Sequence, residues 1–255
     1  MSQISIIQIG FPPIEPWMSL EEQEFRKKFS LEMEWIIMTG RFPFKDCAYR
    51  VEYFSTSVGG ECITGKVVVG KQLCYFFKSS RVVGMLSSEY AFLKAWSKII
   101  RTPEIYAVLQ ISHVVTGELM IEEWLPFHTL ANNLPIRQRI ASGISFNMGH
   151  TLANMHKVKA EGFGRPQLGQ ELVGTFSSFS EEINEAMKHR LGLLINEGLL
   201  PLSICGDVNR AIEHVTKSLD YDKPALTHCD FKPDNIFVDD KMSIIVIDPN
   251  CRISQ

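Results

Sequence analysis

The residues best suited to chemistry lie in Thr227-His-Cys-Asp-Phe-Lys-Pro-Asp-Asn235 and in Val246-Ile-Asp248. The first stretch has the pattern H-x-D-x-x-x-x-N, with His228, Asp230 and Asn235 at its fixed positions. Between the two stretches lie the apolar strand formers Ile236-Phe-Val238 and Ile244-Ile-Val-Ile247, separated by the turn residues Asp239-Asp-Lys-Met242. If 236–247 is a hairpin, its two ends lie side by side. Asn235 enters it and Asp248 leaves it, so two oxygen-bearing side chains meet at one edge. Such a pair suits a hard divalent cation, Mg2+, whose remaining positions go to water and phosphate. Asp230, in the loop before them, could accept a proton from a substrate hydroxyl. Asp and Asn are common turn residues, and a lone pair at this spacing would carry little. The whole arrangement from His228 to Asp248 is harder to reach by chance. His228 reads as a structural residue hydrogen-bonded within the loop. Lys232 either neutralises a phosphoryl oxygen or is simply solvated.

These residues need a scaffold, and the chain supplies one in two textures. Residues 1–18 hold Pro12, Pro13 and Pro16 and read as an irregular lead-in. Ser19-Leu-Glu-Glu22 is a capping box, with Ser19 as N-cap and Glu22 reaching back. The apolar spacing of Phe25, Phe29, Met33 and Ile36 predicts an amphipathic helix over 20–38, closed at Gly40. Strands are predicted over 49–54, 63–69 and 73–77, joined through turn residues as an antiparallel meander. A helix over 86–98 follows, then strands over 105–111 and 117–123, ended by Pro126. Beyond it the periodicity turns helical, over 137–157, 179–198 and 203–219. Sheet first and helices second, with the change near 126, imply a small β-rich lobe joined to a larger helical one. The division expected is 1–46 as lead-in and helix, 47–125 as the β-rich lobe with its connector, and 126–255 as the helical lobe.

Composition narrows the classes. The chain has 255 residues, 45% of them hydrophobic, and a net charge of −3. It can bury a real core, and it offers no basic field for nucleic acid or an anionic membrane. No apolar run reaches the roughly 18–20 residues of a membrane helix, and the N-terminus lacks the pattern of a secretory signal. The six cysteines are scattered with no Cys-x-x-Cys pair and read as reduced thiols of a cytoplasmic protein.

The H-x-D-x-x-x-x-N stretch followed by strand, turn, strand and Asp248 resembles the aminoglycoside phosphotransferase family, within the protein-kinase-like fold. The resemblance covers about 49–255. Leu119-Met-Ile-Glu-Glu-Trp-Leu-Pro126 is similar to that family's strand into the hinge, and Leu152-Ala-Asn-Met-His156 with Gly162-Phe-Gly164 to its helix end and following turn. The resemblance implies an α+β, two-lobed protein-kinase-like fold, with a small antiparallel β-rich N-lobe and a larger, mainly helical C-lobe. It implies Asp230 as catalytic base, and Asn235 and Asp248 as ligands of the Mg2+ that bridges nucleotide phosphates. Lys78, at the end of the strand 73–77, resembles the lysine on the α- and β-phosphates, with Glu89 as its ion-pair partner. Gly59 and Gly60 stand where a phosphate-covering loop belongs, without a G-x-G-x-x-G pattern. The connector from Glu122 through Glu123, Trp124 and Leu125 would offer backbone groups to adenine.

The donor expected is ATP or GTP and the acceptor a small hydroxylated molecule, possible aminoglycosides included. Phe231-Lys-Pro-Asp-Asn235 looks more like a protein kinase. However, the helices between His156 and His228, and Pro249-Asn250 after Asp248 in place of Phe-Gly, favour the small-molecule family. Relatives continue past this aspartate with further helices. A chain that is short there leaves the alternative of a nucleotide-binding pseudoenzyme or an inactive shortened fragment. Acidic residues outnumber basic ones over 166–220, which would suit a polycationic acceptor or be an ordinary solvated face.

Overall fold

The computed structural model describes residues 6–45, 48–55, 62–132, 134–166, 172–216 and 223–254. Gly59 and Gly60 lie outside the described residues. The first half of the chain runs through β1 (Ile6–Ile9), α1 (Leu20–Met38), β2 (Ala48–Tyr53), β3 (Ile63–Val69), β4 (Leu73–Ser80), α2 (Met85–Trp96), β5 (Ile105–Ile111) and β6 (Gly117–Glu123). The second runs through α3 (Leu134–Met155), β7 (Phe163–Pro166), β8 (Gly174–Phe176), α4 (Phe179–Asn196), α5 (Cys205–Thr216), β9 (Ala225–Thr227), β10 (Ile236–Val238), β11 (Ile244–Val246) and β12 (Arg252–Ser254).

Six strands form one sheet in the order β1-β2-β3-β4-β6-β5. All neighbours are antiparallel except β1 and β2. The meander and the β5–β6 hairpin thus stand where the turn residues put them. The lead-in does not: Ile6–Ile9 pairs in parallel with β2, so the first residues extend the sheet rather than wander. The prolines fall after this strand, between it and α1, where no ladder hydrogen bond is lost.

The helix α1 covers one face of this sheet. Its Phe25, Phe29, Met33, Ile36 and Ile37 share a core with Val51, Ile63, Val67, Phe77, Leu119 and Ile121, and the Phe29 and Phe77 rings stack at 6.2 Å. Ser19 Oγ accepts the Glu22 N–H at 3.1 Å, as a cap should. The second half of the capping box is not made. Glu22 instead binds Arg26 Nε at 2.6 Å, and the fully buried Arg26 goes on to the Cys62 carbonyl at 3.0 Å. A buried guanidinium requires a carboxylate more than the helix end does.

The helix α2 lies against the opposite face and belongs to two cores. Leu86 packs with Met120 of β6, while Phe92, Leu93 and Trp96 pack with Ile144, Met155, Leu226, Ile236 and Val246. It thereby ties the sheet to the helix-rich half. That half carries more strand than its periodicity predicts. The strands β10 and β11 form the expected hairpin, and β8-β7-β12-β9 form a second small sheet. Each of these last strands is three or four residues long; β7 and β8 are neighbours in the chain, and β12 pairs at long range with β7 and β9.

Candidate active site

The hairpin does what its sequence requires of it. Ile236 pairs with Val246, and the Ile247 N–H donates to the Asn235 carbonyl at 3.1 Å. Asn235 and Asp248 therefore stand at the same end. Asp248 adopts φ +55°, and Cys229, just before Asp230, adopts φ +54°. A left-handed conformation is unfavourable for cysteine and better tolerated by aspartate, and such strain concentrates at functional sites.

The loop from 228 to 235 is tied by its own side chains. Asn235, 6% exposed, donates through Nδ2 to Asp230 Oδ2 at 2.8 Å and to the Asp230 carbonyl at 3.0 Å. Its Oδ1 makes no hydrogen bond among the described residues. Lys232 Nζ binds the same Asp230 Oδ2 at 2.7 Å; the lysine is thus engaged with Asp230 rather than simply solvated. His228, 1% exposed, faces the Ile247 carbonyl through Nε2 at 2.9 Å and the Asp230 N–H through Nδ1 at 3.3 Å. A carbonyl only accepts and an N–H only donates, so the neutral ring with its proton on Nε2 satisfies both. Burial lowers the His228 pKa and favours that neutral form. The ring also stacks on Trp96 of α2 at 6.1 Å. His228 is structural, as its sequence context suggests.

Lys78 reaches this cluster from the other lobe. It lies within β4, opposite Met120, rather than at the strand's end, because β4 continues to Ser80. Its Nζ binds Glu89 Oε2 of α2 at 2.7 Å and also binds the Asp248 carboxylate. Burial alone would lower the Lys78 pKa, but the two carboxylates outweigh it and hold the ammonium charged. Burial likewise works to raise the Asp248 pKa, and the Lys78 charge keeps it below the usual value. Ion pairs join Lys78 to Glu89 and Asp248, hydrogen bonds join Asn235 to Asp230, and the Ile247 N–H on the Asn235 carbonyl sets the two groups at one end of the hairpin.

The connector is more divided. The Glu123 N–H donates to the Glu104 carbonyl at 2.8 Å, and its carboxylate takes Arg101 at 3.1 Å, so both of these groups are already engaged. Trp124 and Leu125 keep their backbone N–H groups without a partner among the described residues. Trp124 sits beside Phe54 at 6.0 Å, with the Lys66 ammonium 5.7 Å from its ring centroid.

A sequence model of the fructosamine kinase family matches residues 46–254. The chain belongs to the fructosamine kinase family. No curated protein matches it. Among solved structures, the aminoglycoside phosphotransferase APH(4)-Ia superposes with a TM-score of 0.63 at 16% identity, over 89% of this chain and 73% of that one. A protein assigned as a fructosamine-3-kinase from Thermobifida fusca gives 0.55 at 18% identity, over 80% and 69%. The streptomycin–ATP complex of APH(2'')-IIa gives 0.52 at 12% identity, over 88% and 72%. These identities carry the fold: the two-lobed, kinase-like α+β fold expected from the sequence is the fold of this chain. A member of the fructosamine kinase family with this fold is a kinase-like phosphotransferase.

Two carboxylates near the site, those of Glu118 and Glu122, were not singled out from the sequence. Glu118 of β6 accepts from the Leu86 N–H at 2.8 Å and the Ser87 N–H at 3.3 Å, capping α2, whose own N-cap is Gly84 without a side chain. Glu122 is buried on the face of β6 that carries Met120. Strand alternation was the available signal for both, since Glu118, Met120 and Glu122 share one face. Among the described residues no helix is long and apolar enough to cross a membrane, and Cys62, Cys74, Cys205, Cys229 and Cys251 are free.

Proposed function

We propose that the chain transfers the γ-phosphoryl group of ATP, or of GTP, to a hydroxyl of a fructosamine, a sugar joined to an amine. The observation that carries this reading is the convergence of Lys78 and Glu89 from one lobe on Asp248, Asn235 and Asp230 from the other. Lys78, braced by Glu89, positions the nucleotide phosphates. Asn235 and Asp248 would hold Mg2+, which neutralises phosphate charge when bound; their hard oxygen donors fit it. Asp230 orients the acceptor hydroxyl and takes its proton as the oxygen attacks the γ-phosphorus. The bond to the β,γ-bridging oxygen breaks and the nucleoside diphosphate leaves. Alignment and charge stabilisation supply most of the rate effect.

The fructosamine acceptor rests on the family. A fructosamine and an aminoglycoside both place hydroxyls beside protonated amines, so an anionic acceptor surface would serve either. The acidic residues of α4 and α5 contribute less to one than their number suggests: Glu182 is buried against Arg252 at 3.3 Å, and Asp207 pairs with Arg210. Exposed Glu185, Glu197 and Glu213 remain. The pseudoenzyme alternative loses ground because every side chain needed for transfer is in contact with another of the set.

The test is incubation of the purified chain with Mg–ATP and either fructosyl-lysine or hygromycin B, followed by mass spectrometry and phosphorus NMR of the small molecule. Phosphate on a fructosyl hydroxyl is the expected product. Phosphorylated hygromycin B with untouched fructosyl-lysine would move the acceptor to the antibiotic class, and phosphate on neither would favour the pseudoenzyme.

A further inference from the structure

The buried carboxylates around the sheet are almost all satisfied. Glu22 holds Arg26. Glu32 of α1 accepts the backbone N–H groups of His113, Val114 and Val115. Glu89 holds Lys78, and Glu118 caps α2. Glu122 is the exception: it is 7% exposed, yet its carboxyl makes no hydrogen bond or ion pair among the described residues. A largely buried carboxyl that no protein group engages keeps its hydrogen-bonding capacity for a ligand, and a few such polar groups among apolar walls are what a binding cleft offers.

Its place suggests the use. Leu119 and Ile121 of β6 point into the core beneath α1. Met120 and Glu122 therefore point to the other face, the one that carries Lys78, and Glu122 stands opposite Phe76 while Met120 stands opposite Lys78. Phe76 stacks with Phe54 at 6.2 Å, and Phe54 lies 6.0 Å from Trp124. Glu122 thus sits where the sheet passes into the connector, next to a group of aromatic rings and one step along the strand pair from the phosphate-binding lysine. Flat apolar faces beside a single unsatisfied polar group are what a nucleobase requires: surfaces to stack on and an edge partner.

We propose that Glu122 reads the base of the donor nucleotide, its carboxyl hydrogen-bonding the edge of a purine whose triphosphate lies at Lys78. The inference rests on the nucleotide site proposed above and adds a base-binding residue to it. Protonation fits this role. Burial first, then the charges of Glu89, Asp248 and Glu123, raise the Glu122 pKa to about 8, against the opposing pull of Lys78. A carboxylic acid offers one O–H donor and one carbonyl acceptor. Adenine presents ring N1 beside its 6-amino group, and guanine presents O6 beside N1–H, so the neutral acid can pair with either. Glutamine keeps the same donor and acceptor, whereas leucine keeps only the bulk.

The experiment measures binding of Mg–ATP, Mg–GTP and Mg–tripolyphosphate, which has no base, by calorimetry to the wild type, Glu122→Gln and Glu122→Leu. Glu122→Leu should weaken the preferred nucleotide about tenfold, the scale of a lost buried hydrogen-bond partner, and leave tripolyphosphate unchanged. Glu122→Gln should stay within about threefold of the wild type on the same scale. Unchanged nucleotide affinity in Glu122→Leu overturns the inference, as does an equal loss for nucleotide and tripolyphosphate, which would mark a merely structural residue. A wild type that binds tripolyphosphate and neither nucleotide also overturns it, whereas a wild type that binds none of the three refutes the nucleotide site itself.

Discussion

Replacing Glu89 by alanine removes one of the two carboxylates that hold Lys78. The pair is close, 2.7 Å between Nζ and Oε2, and deeply placed, with Lys78 7% and Glu89 4% exposed. Removing one member of a buried pair costs about 3–5 kcal/mol, mostly because the other charge is stranded. Here the stranding is partial. Lys78 keeps Asp248, but that side chain is 52% exposed, and solvent weakens an exposed partner. The expected loss of stability is therefore about 2–3 kcal/mol, at or just below the bottom of that range. The functional loss follows from where the ammonium then goes. With Glu89 absent, Lys78 has only Asp248, the carboxylate proposed to hold Mg2+, so lysine and metal compete for one group. Mg–nucleotide affinity should fall by about tenfold, one hydrogen-bonded contact's worth. Glu89→Gln, which keeps an oxygen for Lys78, should lose less on both counts. Urea unfolding and nucleotide titration of the two variants measure both effects. If Glu89→Ala loses under about 0.5 kcal/mol, the scale of an inert surface change, and binds Mg–ATP as the wild type does, Glu89 does not hold Lys78 in place.

Three further outcomes are expected. Glu118→Ala uncaps α2 and should cost about 1–2 kcal/mol, with faster amide exchange confined to the first turn of that helix by hydrogen-exchange mass spectrometry. Gly117→Ala puts a Cβ 2.3 Å from the Ser80 carbonyl oxygen; the β4–β6 pair must shift, and the unfolding midpoint in urea should drop. The third concerns pH. The Glu122 carboxyl rises from 4.5 to about 8 on folding, so over that window the folded state holds a proton that the unfolded chain has lost. Its contribution is complete below about pH 4.5 and is lost as pH rises towards about 8, by up to about 1.4 kcal/mol per pH unit. Wild-type stability should therefore decline between these limits more steeply than that of Glu122→Gln, and parallel urea curves for the two at every pH would contradict it.

The parts of this fold that the sequence makes legible are those built from neighbours. The meander, the β5–β6 hairpin and the β10–β11 hairpin join strands adjacent in the chain through turn residues, and the amphipathic α1 announces its buried face by spacing. The site residues near the hairpin are legible for the same reason, since register alone fixes Asn235 beside Asp248. The strand β1 was hidden because its partner, β2, lies beyond a whole helix and the segment after it is proline-rich. The short strands β7, β8, β9 and β12 were hidden because three or four residues carry no readable alternation, and β12 finds its partners β7 and β9 far away in the chain. Glu22 shows a different failure: the capping-box pattern is present, but a buried arginine competes for the same carboxylate and wins. Glu122 was read only for its backbone, because a glutamate at a strand end ordinarily means solvent. Strand alternation gives the face it occupies, but its burial depends on what other elements lay over that face, and no local pattern encodes that.

The account's central claim is that Asp230 takes the proton from an acceptor hydroxyl during phosphoryl transfer, while the nucleotide is held by other residues. The most direct measurement is single-turnover transfer from γ-labelled Mg–ATP to fructosyl-lysine by the wild type and Asp230→Asn, with Mg–ATP affinity measured on the same samples. Asn keeps the size of the side chain and an oxygen toward Asn235, so binding should hold within about threefold, less than one hydrogen bond's worth. The transfer rate should fall by at least about a hundredfold, the low end of what a general base contributes. Undiminished transfer by Asp230→Asn would contradict the claim.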